Sequence, residues 1–471
     1  MRYLIGLVLA AALIAGGLFV YAGRLPGPGI EIAKPAKYVG VSTPVEVRVT
    51  TPQAGLTKLD VTFEQNGKQT SLFSLEKAQA GTPTGDVHVS VTQAAPGSPP
   101  PPASLLTTTV GRASVPDLKS GPARIVVTAE RPVLFGLRKA RSTATRDVQV
   151  RLERPVIAVL STKHYVNLGG SEMVVYRATP ADIESGVQVG DLTYPGYPAS
   201  GAKLEGIHIT DPAVKIAFIA LRYDQDVNTP MFAYAKDEAG NTARAEFDRL
   251  TFPKPFKKSR LELNDAFLNR VVPSILATTN DVNPQGTTIE KYLVLNGELR
   301  RKNADRIASF SAQSAPEILW GGTVFHSFKN TAVESAFADQ RTYVYDGKEV
   351  DRQTHLGFDL ARVVNSPVVA SNRGKVLYAA PLGIYGNCVI LDHGMGVQSL
   401  YAHLSSIGVQ PGQMVEKEQE MGKSGMTGLA GGDHLHFTML VNGQMVNPVE
   451  WWDAHWIQDR ILRKLREASG S

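Results

Sequence analysis

A chain of 471 residues has room for two to four domains, and 43% apolar with 20% charged residues is ordinary globular composition, which excludes a disordered or low-complexity protein. Lys and Arg number 49 against 44 Asp and Glu, and a net charge of +5 over this length gives no footprint for a nucleic-acid partner. The single cysteine, Cys388, excludes an intramolecular disulfide and a CxxC metal site, so any metal must be held by His, Asp and Glu.

Residues 3–22 form an uncharged apolar run behind Met1 and Arg2. About 20 residues at 1.5 Å rise cross a bilayer core, so 1–24 are predicted to be a transmembrane anchor, with a signal peptide cleaved after Val20-Tyr21-Ala22 as the alternative. The positive charge ahead of the run and the long domain after it predict a cytoplasmic N-terminus and a body outside the cytoplasm. Residues 25–153 read as a first β-sandwich: Val45, Val47 and Val49 alternate with Glu46 and Arg48, as Leu59, Val61 and Phe63 do with Asp60 and Thr62. Asn66-Gly67 supplies a tight hairpin turn. Residues 95–104 read as a surface loop, because the prolines at 99–102 have no amide donor to give a sheet.

Residues 154–256 read as a second sandwich, and His164-Tyr165-Val166 stands early in it as Lys37-Tyr38-Val39 does in the first. The turn Asp237-Glu238-Ala239-Gly240-Asn241 resembles the closing hairpin of bacterial immunoglobulin-like domains. From Asn264 the period becomes helical: Phe267, Leu268, Val271, Val272 and Ile275 share a face, with Asn264 or Asp265 as cap. A second helical pattern after Thr287 is broken at Asn296-Gly297, and a third covers 300–310. Residues 257–314 are thus a helical connector, 315–453 a β-rich domain, and 454–471 a C-terminal helix or tail. The fold class is multidomain and mainly β.

Five of the ten histidines, His355, His393, His403, His434 and His436, lie within about 80 residues of one another in the last β-rich domain. His434 and His436 flank Leu435 in a strand-like segment, so both imidazoles project to one side. His355 and Asp359, four apart, share a face of an extended segment. Two imidazoles and a carboxylate form a borderline-soft set suited to zinc with one position open. His403 and whichever of His434 and His436 is not a ligand remain for proton transfer or oxyanion stabilisation.

At these residues the chain resembles the lysostaphin-like, or LytM-type, zinc endopeptidases. The similarity runs in order through His355-Leu356-Gly357-Phe358-Asp359, Gly386-Asn387-Cys388-Val389-Ile390-Leu391-Asp392-His393-Gly394, Leu400-Tyr401-Ala402-His403-Leu404, His434-Leu435-His436-Phe437 and Val446-Asn447-Pro448. The resemblance implies that His355, Asp359 and His436 bind one Zn2+ and that His403 and His434 are the catalytic histidines. It further implies hydrolysis of peptide bonds in peptidoglycan stem peptides or cross-bridges, D-Ala to diaminopimelate or Gly-Gly according to the wall. Two other readings stand beside it: a non-catalytic envelope scaffold or activator of other wall hydrolases, and an enzyme whose groove the connector covers. Expected partners are peptidoglycan peptides, the membrane through the N-terminal helix, and an envelope protein through the sandwich or helical regions.

Other side chains are assigned plainer roles. His393, in a turn, makes local hydrogen bonds, and Cys388 is a small buried thiol. His88, His164, His208, His326 and His455 are structural or exposed. Trp451, Trp452 and Trp456 seal a domain edge, and Arg460, Arg463, Lys464 and Arg466 form a solvated basic helix surface. The glycine-rich stretch 422–433 is either a flexible groove wall or a long hairpin connection.

Overall fold

The computed structural model describes residues 2–51, 55–79, 88–92 and 103–470. The chain divides into two compact units, residues 1–155 with 236–242, and residues 156–235 with 243–471. The apolar run is one helix, Arg2–Ala22, of which Ile5–Ala22 is long and apolar enough to cross a membrane.

The rest of the first unit is two sheets around one core. A four-stranded sheet has the order Gly29–Lys34, Ser42–Thr50, Ala103–Gly111, His88–Thr92; a five-stranded sheet has the order Tyr38–Val39, Arg138–Val150, Gly121–Val133, Lys58–Gln65, Lys68–Ser74. Alternation works as the sequence predicts, because successive side chains of a strand face opposite ways. Val45, Val47 and Val49 of one sheet meet Leu59, Val61, Phe63, Ile125 and Val127 of the other. Asn66 and Gly67, at φ 52° and 77°, make the turn between Lys58–Gln65 and Lys68–Ser74. Of the predicted proline-rich loop, residues 95–102 lie outside the described residues, while 103 and 104 already belong to the strand Ala103–Gly111.

In the second unit, one contiguous core runs from the second β-rich block through the helices to the last domain. Ser171–Thr179 and Val214–Ala220 centre one sheet of the block. Its interior abuts that of the last domain: Asn442 Nδ2 donates to Phe218 O at 3.0 Å, and the Phe218 and Trp451 rings lie 6.0 Å apart. Trp451 and Trp456 are buried here.

The connector differs from the prediction in two ways. Ahead of its first helix, Lys258–Leu263 is a strand, paired in parallel with Asp339–Tyr345. Its apolar residues are few, and backbone pairing rather than side-chain period decides its conformation. The predicted break at Asn296-Gly297 does not occur. Helix Thr288–Val294, held at its start by a Thr287/Glu290 capping box, passes through a wide π-turn, Leu295–Leu299, into helix Arg300–Ser309. Asn296 is tolerated there because its buried amide donates to Asp351 Oδ2 at 2.7 Å and accepts from Arg300 Nη2 at 2.5 Å. The first connector helix, Asp265–Leu276, is capped by Asn264, whose side chain accepts from Phe267 N.

One element of the predicted basic helix surface is corrected. Lys464 is fully buried, its Nζ 2.7 Å from Glu172 Oε1, because the C-terminal helix packs over Ser171–Thr179 instead of standing in solvent.

The last domain is built on an eight-stranded sheet. Ala332–Ser335, Phe358–Ala361, Leu435–Val441, Val397–Leu404, Asn387–Gly394, Gly374–Pro381 and Met414–Val415 follow in that order, and Gln444–Val446 pairs with Leu435–Val441. A three-stranded sheet of Lys258–Leu263, Asp339–Tyr345 and Lys348–His355 lies at the site.

Candidate metal centre

Three neighbouring strands carry the titratable groups to one place. Asp359 is the direct cross-strand partner of His436, and Ala402, beside His403, pairs with His436 from the other side. His434 stands two residues before His436, so strand alternation turns both imidazoles to one face. His355 arrives differently from the single extended segment predicted. It ends Lys348–His355 in the three-stranded sheet, the strand is interrupted at Leu356-Gly357, and Asp359 lies in a new strand, Phe358–Ala361. Glycine is required at 357, where an added Cβ would stand 2.5 Å from His436 Cε1.

His355 Nε2 lies 2.9 Å from both Asp359 Oδ1 and His436 Nδ1, and His436 Nδ1 is 3.0 Å from Asp359 Oδ1. Bonds of about 2.1 Å in a tetrahedron set ligand atoms about 3.4 Å apart, so a small outward shift fits this triangle to a zinc-sized ion. Hydrogen placement supports that fit. His355 Nδ1 faces Ser335 Oγ at 3.2 Å and Ala336 O at 3.3 Å, and a proton held there leaves a lone pair on Nε2. His436 Nε2 is buried without a hydrogen-bond partner, so no contact on that side competes for the ring. Lone pairs converging on one buried point are a poor arrangement without a cation among them.

The remaining two imidazoles are oriented by carbonyls, which only accept. His403 Nδ1 donates to Thr427 O at 2.7 Å and His434 Nδ1 to Gly432 O at 2.9 Å, so each presents Nε2 to the cavity. His403 holds φ 61°, a conformation that costs energy in a non-glycine residue and recurs at functional sites. Their charge states diverge. Burial, reinforced by the neighbouring His434 and His436, holds His403 well below the ordinary imidazole range. At His434 burial works in the same sense, but the hydrogen bond and charge of Asp359 outweigh it and raise the group. Burial also opposes ionisation of Asp359, yet the surrounding imidazoles of His355, His434 and His436 keep its carboxyl well below the usual range.

Three residues that the sequence analysis did not single out support this centre. Arg341 Nη2 donates to Asp359 Oδ2 at 2.8 Å, leaving Oδ1 for the cradle. Asp339, 2% exposed, accepts from Ser259 Oγ at 2.8 Å and from Ser335 Oγ at 3.1 Å. The Ser335 hydroxyl is thereby spent as a donor, and its oxygen is free to accept from His355 Nδ1. One buried carboxylate therefore backs His355 through Ser335, and its Oδ2 is 3.6 Å from Arg341 Nε. A trace was available in the sequence: Asp339 and Arg341 alternate with Gln340 and Thr342 on the same strand face as Tyr343, an unusual place for two charges.

The five residues line a cavity of about 550 Å³, whose other wall includes Phe267, Tyr292 and Arg300 of the connector. The glycine-rich stretch is tied down rather than free. Thr427 Oγ1 donates to Leu404 O at 2.9 Å, and Arg270 of the connector donates to Ala430 O at 2.7 Å. His393 is buried and stands apart, donating from Nδ1 to Arg373 O and accepting at Nε2 from Ser399 Oγ. Cys388 is buried, and burial pushes its thiol up, away from reactivity.

Residues 353–448 match the model of Peptidase family M23. Over 95 residues the chain is 42% identical to the DD-carboxypeptidase/endopeptidase Mpg of Neisseria meningitidis, covering 20% of this chain and 22% of that protein. It is 30% identical over 166 residues to the peptidoglycan DD-endopeptidase ShyA of Vibrio cholerae, covering 35% of each. The alignments thus span between about a fifth and a third of these relatives. Among solved structures, the catalytic domain of lysostaphin from Staphylococcus simulans is 27% identical at a TM-score of 0.23, over 26% of this chain and 92% of that one.

Proposed function

Since residues 353–448 constitute a Peptidase family M23 domain, we propose that this protein is a zinc-dependent endopeptidase that hydrolyses peptide bonds of bacterial peptidoglycan. The observation that carries the reading is the triangle of His355 Nε2, Asp359 Oδ1 and His436 Nδ1, set beside two imidazoles whose Nε2 atoms face the same cavity. These three residues hold the zinc ion. When bound it supplies Lewis-acid polarisation of a carbonyl and activation of water. His403, kept neutral by its surroundings, accepts a proton at Nε2 from the attacking water and passes it to the departing amine. His434, whose charged form Asp359 favours, donates from Nε2 to the developing oxyanion. The connector wall excludes bulk water, which strengthens each of these interactions.

Both relatives are named for a DD activity, which supports a bond flanked by D-centres, such as D-Ala to diaminopimelate, over the achiral Gly-Gly. The helix Arg2–Ala22 anchors the chain in the inner membrane with its body outside the cytoplasm. The two β-rich blocks, read as immunoglobulin-like sandwiches, space the site from the membrane or dock an envelope protein.

Full-length protein incubated with peptidoglycan, with and without a chelator, tests this directly, products being identified by mass spectrometry. Cleaved cross-links are expected only without chelator. His436→Ala is expected to lose bound zinc and turnover together; undiminished wall hydrolysis by that variant would overturn the assignment of the metal centre, and absence of cleavage by the zinc-loaded parent would favour a scaffold.

A further inference from the structure

The hairpin joining Gly121–Val133 to Arg138–Val150 ends in Leu134-Phe135-Gly136-Leu137, beyond the last register pair Val133 and Arg138. Phe135 is 103% exposed and Leu137 74%. Leu134 and Phe135 adopt φ 51° and 55°, the left-handed region that hairpins in water give to Asn or Gly. Large apolar residues thus occupy the two positions where they fit least well, at the most exposed point of the strand pair.

The same tip packs on the end of the apolar helix. Ala22 shares a small apolar cluster with Val133 and Ala140, flanked by Leu25 and Leu134. Arg138 Nη1 donates to Phe19 O at 2.7 Å, and its guanidinium lies 4.4 Å from the Phe19 ring centroid. Tip and last helical turn therefore stand at one level, which for a spanning helix is where the chain leaves the hydrocarbon. Aromatic Phe19 and Tyr21 mark that level in the helix. Charge agrees: from 131 to 146 the chain holds Arg131, Arg138, Lys139, Arg141 and Arg146 and no Asp or Glu.

We propose that residues 134–137 are a second membrane contact. Phe135 and Leu137 enter the interfacial layer of the bilayer that holds the helix, and Arg24, Lys139 and Arg141 lie against anionic lipid headgroups. The contact is independent of the hydrolase reading and rests on the helix being retained as a span. A lone helix leaves the domain above it free to swivel, whereas helix and hairpin together fix its tilt.

The test uses the full chain with the helix present, verified by intact mass, in vesicles of phosphatidylethanolamine and phosphatidylglycerol. An environment-sensitive fluorophore is attached at Phe135→Cys, and at Asn66→Cys as control. Asn66 lies at the other end of the same sheet, since Glu64 pairs with Arg124 whereas Lys58 pairs with Glu130. Emission at 135 is expected to shift to the blue and to lose most of its intensity to nitroxides on the lipid acyl chains, with no change at 66. Water-like emission at 135, matching 66, overturns insertion. A second measurement needs no substitution: tryptic cleavage after Lys139 and Arg141 is expected to be several-fold slower in these vesicles than in phosphatidylcholine vesicles, and equal rates overturn the headgroup contact.

Discussion

The second unit buries two clusters of charged side chains, built to opposite rules. Around Glu172 and Glu450 each carboxylate oxygen has donors. Glu172 accepts from Lys464 Nζ, Tyr165 N and Met173 N, and Glu450 from Asn167 Nδ2 and from Ser171 N and Oγ. Around Asp359 the count fails: nitrogen and oxygen lone pairs face one another across 2.9–3.0 Å, and His436 Nε2 has no partner. Burial and charge are alike in the two places, so neither identifies a functional site. Incomplete satisfaction does, because a fully paired network has nothing left to offer a ligand.

If the Glu172 cluster is a staple, removing one partner should be costly. Lys464→Met leaves Glu172 buried and short of its cationic partner, which should destabilise the protein by about 3–5 kcal/mol in urea unfolding. The double variant Glu172→Gln/Lys464→Met should recover most of that loss. A single variant within about 1 kcal/mol of the parent would show that the pair is not structural, and the contrast with the metal centre would collapse.

The corresponding change at the metal centre should spare stability and strike chemistry. Arg341→Met frees Asp359 Oδ2, and losing such an outer partner typically costs 10- to 100-fold. Turnover of peptidoglycan fragments is expected to fall by about that factor at unchanged thermal stability, with Arg341→Lys in between. Wild-type turnover in Arg341→Met would confine the working centre to the five residues visible in the sequence.

What was visible there follows from period and spacing. Alternation in 42–50 and 58–65, the capped helix at 265–276 and the paired orientation of His434 and His436 are local properties, set by side chains a few residues apart. His355 and Asp359 stand together for a reason that alternation covers only in part, since the strand is interrupted at Leu356-Gly357 between them. The supports were hidden because they come from far along the chain: Ser259 reaches Asp339 across 80 residues, through a parallel strand pairing that leaves no periodic trace. Lys464 was hidden for the same reason, its partner lying 292 residues away.

The smallest effect concerns the histidines that are fully paired. His164 and His393 are each held at about 4, His164 by burial and the charge of Lys464, His393 by burial alone against its bond to Arg373 O. Their folded values lie below the value of about 6.5 expected in the unfolded chain, so the unfolded state takes up the proton first. The stability they confer is complete above about pH 6.5 and is lost as pH falls from there toward 4. Each should contribute a drop of about 1.4 kcal/mol between pH 7.5 and 5.5. Urea midpoints of the zinc-loaded protein at those two pH values measure the sum, and His393→Asn, which keeps a donor toward Arg373 O, isolates one share. The variant is expected to be less stable throughout but less sensitive to pH by about that amount. An undiminished pH dependence in His393→Asn would mean that this histidine, although buried and fully paired, takes up its proton without unfolding.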